Sequence, residues 1–281
     1  MRGRRAPRPD VEPVDHYGDG DWYDAEYVHI RADLDLYRAV AREATGPILE
    51  LACGTGRLSF PMAEAGRRVT GVDASPAMLA RARRRAGTAS PEVRSRLDFV
   101  EGDMRSVRLG RRFDRVVLAF NGILHLLEDD ELLAGLETAR AHLAPGGRIH
   151  LDLFSPPTPP AERDPDDRFD PQPMVDPHTG ERWLVTENNR YDPRRQLNHM
   201  FFYYRRADPQ GRAFGPERRA EVVLRVLHPR ELDAFVRWAG LAVAAEYEDY
   251  ERTRPYTART ALRVLELVDA DPARPTRVGR A

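Results

Sequence analysis

Residues 48–59, Ile-Leu-Glu-Leu-Ala-Cys-Gly-Thr-Gly-Arg-Leu-Ser, run from an apolar strand through a glycine loop into a helix. The strand is read over Pro47–Ala52 and the helix over Leu58–Ala65, with Gly66 at a left-handed C-terminal cap. Between them, Gly54 and Gly56 let the backbone turn tightly and approach a ligand where a Cβ would collide. An ordinary tight turn would carry the same two glycines. A dinucleotide fingerprint requires a third glycine three residues after the second, and that position is Ser59, which weakens a nicotinamide reading. Asp73 ends the next apolar run, Arg68–Asp73, where an acidic side chain can accept from both hydroxyls of a ribose.

The same alternation continues outward. Ser75 caps a helix opened by Pro76. Leu97–Glu101 is a strand before Gly102-Asp103-Met104, and Asp114–Phe120 is a strand before Asn121-Gly122. A helix starting at Asp129 or Asp130 turns Leu132, Leu133, Leu136, Ala139 and Leu143 inward. Pro145-Gly146-Gly147 then delivers a fifth strand, Arg148–Phe154. Strands alternating with helices predict a parallel sheet covered on both faces.

The rhythm breaks at Ser155. Residues 155–181, rich in Pro and Asp, read as an irregular connection. Strand-like runs follow at 182–191, 196–206 and 219–227, joined by the turns Asp192-Pro193 and Pro209-Gln210-Gly211, so that they form an antiparallel layer of their own. A helix over Pro229–Ala239, ended by Gly240, and strands near 241–247 and 259–268 restore the first pattern. Ahead of it, residues 1–20 read as loose and 21–44 as one amphipathic helix; the tail after Asp269 reads as disordered. The expected organisation is a flexible 1–20, an α/β domain in 21–154 and 229–268, an antiparallel insertion in 155–228, and a flexible 269–281.

Composition narrows the function. A chain of 281 residues, 41% apolar and 32% charged, has the make-up of a soluble globular protein. No apolar run approaches the roughly 18–20 residues of a membrane span, and no apolar core follows the basic N-terminus, so no membrane association or secretion is expected. Cys53 is the single cysteine; it excludes an intramolecular disulfide or a multi-cysteine metal site and points to a reducing cytoplasm. No metal is expected. All 44 basic residues are arginine, which removes Schiff-base and P-loop lysine chemistry. A net charge of −1 gives no overall pull toward nucleic acid.

Taken together, ILELACGTGR, VTGVDASPAMLARAR, FVEGDMR, FDRVVLAFNGILHL and HLAPGGRIHLDLF resemble class I S-adenosylmethionine (SAM)-dependent methyltransferases from Gly46 to Phe154. The resemblance implies a Rossmann-like, doubly wound sheet of seven strands with the last antiparallel, SAM as cofactor, and a small-molecule acceptor. It implies that Glu50, Ala52, Gly54 and Gly56 border the methionine part of SAM, and that Asp73, with Ala74 after it, binds the ribose. Met78 would flank adenine, Asp103 would accept from its amino group and Met104 would address a ring nitrogen; Phe120 and Asn121 would lie beside the sulfonium. Met78 is equally suited to filling a core, and Asp103 to capping a turn. Cys53 is expected to pack rather than react.

His125, in Asn121-Gly-Ile-Leu-His-Leu126, is the foremost catalytic candidate, as a base or as a group that aligns the acceptor. Similar segments occur in sugar-amine N-methyltransferases; a histidine that merely ties the loop to a helix is the alternative. Trp22, Tyr23 and Tyr27 form an aromatic cluster that in relatives folds over SAM, with Tyr23 a second catalytic candidate and Tyr27 a cofactor contact; plain packing on the first helix competes with that. In residues 198–206 one face presents His199, Phe201, Tyr203 and Arg205, the other Asn198, Met200, Phe202 and Tyr204. One face could line an acceptor pocket while the other meets a helix or a second copy in a homodimer, and Arg205 and Arg206 could meet an acidic acceptor. A non-enzymatic scaffold and an RNA methyltransferase are the competing functions.

Overall fold

The computed structural model describes residues 11–158, 164 and 167–271. A short strand, β1 (Val11–Pro13), and two helices, α1 (Gly20–Glu26) and α2 (Leu34–Glu43), precede the glycine loop. Then come β2 (Ile48–Leu51), α3 (Ser59–Glu64), β3 (Val69–Asp73), α4 (Pro76–Thr88), α5 (Pro91–Arg94), β4 (Leu97–Glu101) and β5 (Phe113–Leu118). A single 3-10 turn, Gly122–His125, leads to α6 (Asp129–Ala141) and β6 (Leu143–Phe154). The second half holds β7 (Phe169–Val175), β8 (Arg182–Asp192), β9 (Leu197–Ala207), β10 (Ala213–Arg225), α7 (Pro229–Trp238), β11 (Leu241–Tyr247) and β12 (Leu262–Asp269).

Seven of these strands form one sheet in the order β11-β12-β6-β5-β2-β3-β4. The five from β2 to β6 are parallel, and β12 runs antiparallel to β6. Both faces are covered, as the burial of all four residues of β2 and of Val116, Val117 and Leu118 of β5 requires. On one face α6 and α7 press Leu132, Leu136, Leu232 and Phe235 onto the sheet. On the other, Tyr37, Val40 and Ala41 of α2 and Met62 and Ala63 of α3 do the same. The chain steps outward from β2 through β3 to β4, then returns to the far side of β2 with β5. A doubly wound sheet opens its crevice at that reversal, beyond the carboxyl ends of the strands.

The other five strands form a second sheet, β1-β10-β9-β8-β7. Its core is Met174, Trp183, Val185, Phe202, Tyr204, Ala220 and Val222, against which Val14, Tyr17, Trp22 and Ala25 pack. Among the described residues, no helix is long and apolar enough to cross a membrane.

Three local expectations need correction. Residues 11–20 are not loose: β1 pairs in parallel with β10, and His16 is buried. Residues 1–10 and the tail from 272 lie outside the described residues. The segment 21–44 is two helices rather than one, because the chain breaks at 27–33, where Arg57 reaches across to hold Asp33 through Nη1 and Nη2. The connection after Ser155 contains a strand, β7, whose Pro171 and Pro173 concealed it. Proline cannot donate to a ladder and is tolerated at a sheet edge, and β7 lies at that edge.

Candidate active site

A cavity of about 990 Å³ lies between the carboxyl ends of β2–β5 and the second sheet. That is the upper end of the roughly 300–1,000 Å³ of ligand pockets, enough for a nucleoside-sized cofactor beside a second small molecule.

The glycine loop builds one end. Gly54 has φ +56° and nothing within 4 Å of where a Cβ would stand, so its Cα faces open cavity. Gly56, at φ +77°, is tight instead: a Cβ would come within 3.0 Å of Phe99 and 3.1 Å of Phe60. Asp73 clamps the loop by accepting from the Gly54 N–H at 2.7 Å and the Ser75 N–H at 2.8 Å. Partial burial still raises its carboxyl above the ordinary range. Glu50, fully buried beneath the loop, accepts from the Ser59 hydroxyl, so the residue that breaks the dinucleotide pattern serves the neighbouring carboxyl. Burial pushes Glu50 up to about 8, and it holds its proton at neutral pH.

Asp103 sits at the rim. Arg105 covers it through Nε and Nη2, and that pairing holds its carboxyl below the ordinary range. Across the crevice the backbone is forced into left-handed conformations at Ala52 (φ 57°), Phe120 (φ 51°) and Asn121 (φ 62°). Such non-glycine positions cost energy and cluster at functional sites. Here buried Asp152 accepts from the Phe120 N–H, while Asn121 Oδ1 accepts from the Phe154 N–H at 2.6 Å. The Arg57 guanidinium lies 4.4 Å over the Phe120 ring.

The wall that carries His125 is aromatic. His125 Nε2 lies 3.2 Å from the Tyr17 hydroxyl, and burial depresses its pKa, so the ring is neutral near pH 7. His16 bridges the Tyr204 and Tyr27 hydroxyls, each at 3.2 Å, and its ring stacks on Phe202 at 4.6 Å. Burial and the nearby His125 lower His16 to about 4. Tyr204 donates in turn to buried Glu26, which burial lifts to about 8. Tyr23 lines the cavity, and its hydroxyl makes no hydrogen bond among the described residues.

Of the residues singled out from sequence, Tyr23, Tyr27, Glu50, Ala52, Gly54, Asp73, Ala74, Met78, Asp103, Met104, Phe120, Asn121 and His125 all line this one cavity. Gly56 does not, because it faces the core. Trp22 packs on Trp183 (5.3 Å) and Tyr204 (5.8 Å) in the second sheet rather than over the cavity. The face of β9 turned inward is Asn198, Met200 and Phe202; Arg205 donates to the Gly215 carbonyl and Arg206 pairs with Glu181, so neither waits for an acidic acceptor. Tyr17, Arg57, Glu187 and Asn189 also line the cavity and carried no local signal in the sequence.

A family model described as a methyltransferase domain matches residues 48–147. Over 143 residues the chain is 35% identical to dTDP-3-amino-3,4,6-trideoxy-alpha-D-glucopyranose N,N-dimethyltransferase of Streptomyces venezuelae, covering 51% of this chain and 55% of that protein. In general it spans about half the length of the curated relatives it matches. The CcbJ methyltransferase from Streptomyces caelestis superposes with a TM-score of 0.71 at 29% identity, over 91% of this chain and 98% of that one. A SAM-bound amino pentose methyltransferase from Micromonospora echinaspora does so with a TM-score of 0.65 at 25% identity, over 87% and 95%. Residues 48–147 are thus similar to a methyltransferase domain, and nearly the whole chain is similar in fold to solved methyltransferases.

Proposed function

We propose that the chain transfers a methyl group from SAM to an amine of a small molecule. The observation that carries this is one cavity lined both by a carboxylate that clamps a glycine loop, Asp73, and by a buried histidine, His125, whose pKa is lowered. The residues fit the cofactor. Gly54 leaves open space, Asp73 keeps lone pairs for two ribose hydroxyls, and Met78, Asp103 and Met104 border the position of adenine. Tyr27, Glu50, Ala52, Ala74, Phe120 and Asn121 border the remainder. When bound, SAM would supply a methyl group on a positively charged sulfur, ready for in-line displacement.

The chain's own contribution is alignment, exclusion of water and management of one proton. Tyr17, Tyr23, Tyr27 and Phe120 wall the cavity with aromatic surface. The hydroxyls of Tyr17 and Tyr23 can hold an incoming amine in line. An amine attacks through its lone pair and must shed a proton; His125, kept neutral by burial, can take it at a ring nitrogen. The similarity to an amino-sugar N,N-dimethyltransferase and an amino pentose methyltransferase favours an amine over a hydroxyl. The small-molecule reading agrees with a concave site of this volume.

Calorimetry with SAM and its demethylated product, S-adenosylhomocysteine, tests the first step; absence of binding at millimolar cofactor would refute the proposal. His125→Ala is expected to lower turnover by about 10²–10⁴-fold, the range for a lost acid–base group, with cofactor affinity within a few-fold. Equal losses in both would remove His125 from the chemistry.

A further inference from the structure

The second sheet turns three cross-strand rows toward the cavity. Glu187, Phe202 and Ala220 lie opposite one another on β8, β9 and β10; so do Asn189, Met200 and Val222, and then Tyr191, Asn198 and Leu224. Of these, Glu187, Asn189, Asn198, Met200, Phe202, Val222 and Leu224 line the cavity. The surface is therefore graded. Met200 and Phe202 of β9 and Val222 and Leu224 of β10 are apolar, whereas β8 carries the Glu187 carboxyl and the Asn189 amide, whose Nδ2 donates to Asn198 Oδ1 of β9 at 3.0 Å.

Glu187 stands out within this surface. Each of the other acids of the cavity has a partner: Asp73 the glycine loop, Glu50 the Ser59 hydroxyl, Asp103 the Arg105 guanidinium. Glu187 accepts no hydrogen bond and joins no ion pair among the described residues, although it is only partly exposed. Burial, and then the negative charge of Asp170, push its carboxyl up to about 7. A partly buried carboxyl left without a donor has a desolvation cost that a ligand can relieve. A bound cation does so best, through a charge-assisted hydrogen bond.

We propose that Glu187 is the specificity-determining residue of the acceptor half of the cavity. It selects a small amphipathic molecule bearing a basic amine, whose apolar side lies along Met200, Phe202, Val222 and Leu224. Asn189 and Asn198 offer both donors and acceptors to neutral polar groups such as hydroxyls on the same molecule. This deepens the methyltransferase reading and rests on it. Glu187 acts by placing the acceptor, not by taking part in methyl transfer.

The test uses two isosteric probes, cyclohexylamine and cyclohexanol, added to full-length protein saturated with S-adenosylhomocysteine. Binding is read from the methyl resonance of Met200 in methionine-labelled protein, assigned by Met200→Leu. The wild type is expected to bind the ammonium probe at least about tenfold more tightly than the alcohol, as a charge-assisted pair requires. Glu187→Gln, nearly the same shape without the charge, is expected to erase that preference while leaving alcohol binding and S-adenosylhomocysteine affinity unchanged. Wild-type protein that does not discriminate between the probes, or binds neither, would overturn the proposal, as would discrimination that survives in Glu187→Gln. Unchanged S-adenosylhomocysteine affinity certifies the fold of the variant. It also separates the two readings: loss of cofactor binding in the wild type refutes the methyltransferase proposal, whereas loss of amine preference alone refutes only the role of Glu187.

Discussion

Substitution of Asp73 probes the cofactor end most directly, because its two oxygens are individually accounted for. Oδ2 accepts from the Gly54 N–H at 2.7 Å and Oδ1 from the Ser75 N–H at 2.8 Å. The remaining lone pairs are those proposed for the ribose hydroxyls. In Asp73→Asn one oxygen becomes an NH₂ that faces an N–H and offers a ribose hydroxyl a donor in place of an anionic acceptor. Hydrogen bonds to a charged group contribute about 1.5–3 kcal/mol each. One lost ribose bond should then weaken S-adenosylhomocysteine binding roughly 10- to 150-fold, and two lost in Asp73→Ala about 10²–10⁴-fold. Loss of the loop clamp adds a separate effect, seen as a lower melting temperature of the ligand-free protein. Calorimetry on both variants, repeated with the 2′-deoxy analogue of S-adenosylhomocysteine, resolves the two contributions. The analogue should bind the wild type more weakly than its parent, and Asp73→Ala should bind the two alike. Affinities within threefold of wild type in both variants, or undiminished discrimination in Asp73→Ala, would refute the ribose assignment.

The two glycines of the loop are expected to fail differently. Gly54→Ala places its methyl in open cavity and should cost about 1 kcal/mol of stability for a strained left-handed alanine, yet lose most cofactor affinity. Gly56→Ala drives a methyl into Phe99 and Phe60 and should cost about 1–3 kcal/mol through overpacking on top of the same strain, read as a clearly lower melting temperature; the reverse pattern would exchange their roles. Glu50 gives a pH signature. With its carboxyl raised from 4.5 to about 8, the empty protein holds a proton there at pH 7, and a cationic cofactor alongside favours the ionised form. Binding should therefore release a proton, most strongly around pH 6–8 and not at all well above pH 8. Calorimetry in buffers of different ionisation enthalpy measures it, and Glu50→Gln should abolish it. The same raised pKa means that ionising Glu50 destabilises the ligand-free fold as pH rises from 4.5 toward 8. Glu50→Gln should accordingly gain stability over wild type at pH 8 and lose that advantage below pH 4.5.

The cofactor end was legible because its geometry is local. A strand, a two-glycine turn and a helix place Glu50, Gly54 and Asp73 within 24 residues of one another in sequence, and parallel pairing of β2 with β3 brings their carboxyl ends together. Gly56 belonged to the same motif but serves the turn: two phenylalanines, one from β4, fill the space beside it. No period or composition separates a glycine that faces a ligand from one that faces a ring. The break at 27–33 was hidden for a related reason. It contains neither glycine nor proline, and a residue of the loop after β2, Arg57, holds it open through Asp33.

The acceptor end was legible only to the level of alternation. A period of two states that Asn198, Met200 and Phe202 share a face and says nothing about where that face looks. The choice is made by partners remote in sequence. Trp22 of α1 packs on Trp183 and Tyr204, and His16 stacks on Phe202, so the N-terminal segment lies on the same face and fixes it toward the crevice. Tyr17 then reaches His125 across 108 positions of sequence. Register carries the rest: β8 meets β9 with Glu187 opposite Phe202, and a slip of one residue would turn Asn188 inward and Glu187 out to solvent. The residues proposed to bind SAM are set by a motif, whereas those proposed to meet the acceptor are set by packing between segments distant in the chain. The acceptor surface can therefore change while the glycine loop and Asp73 stay as they are.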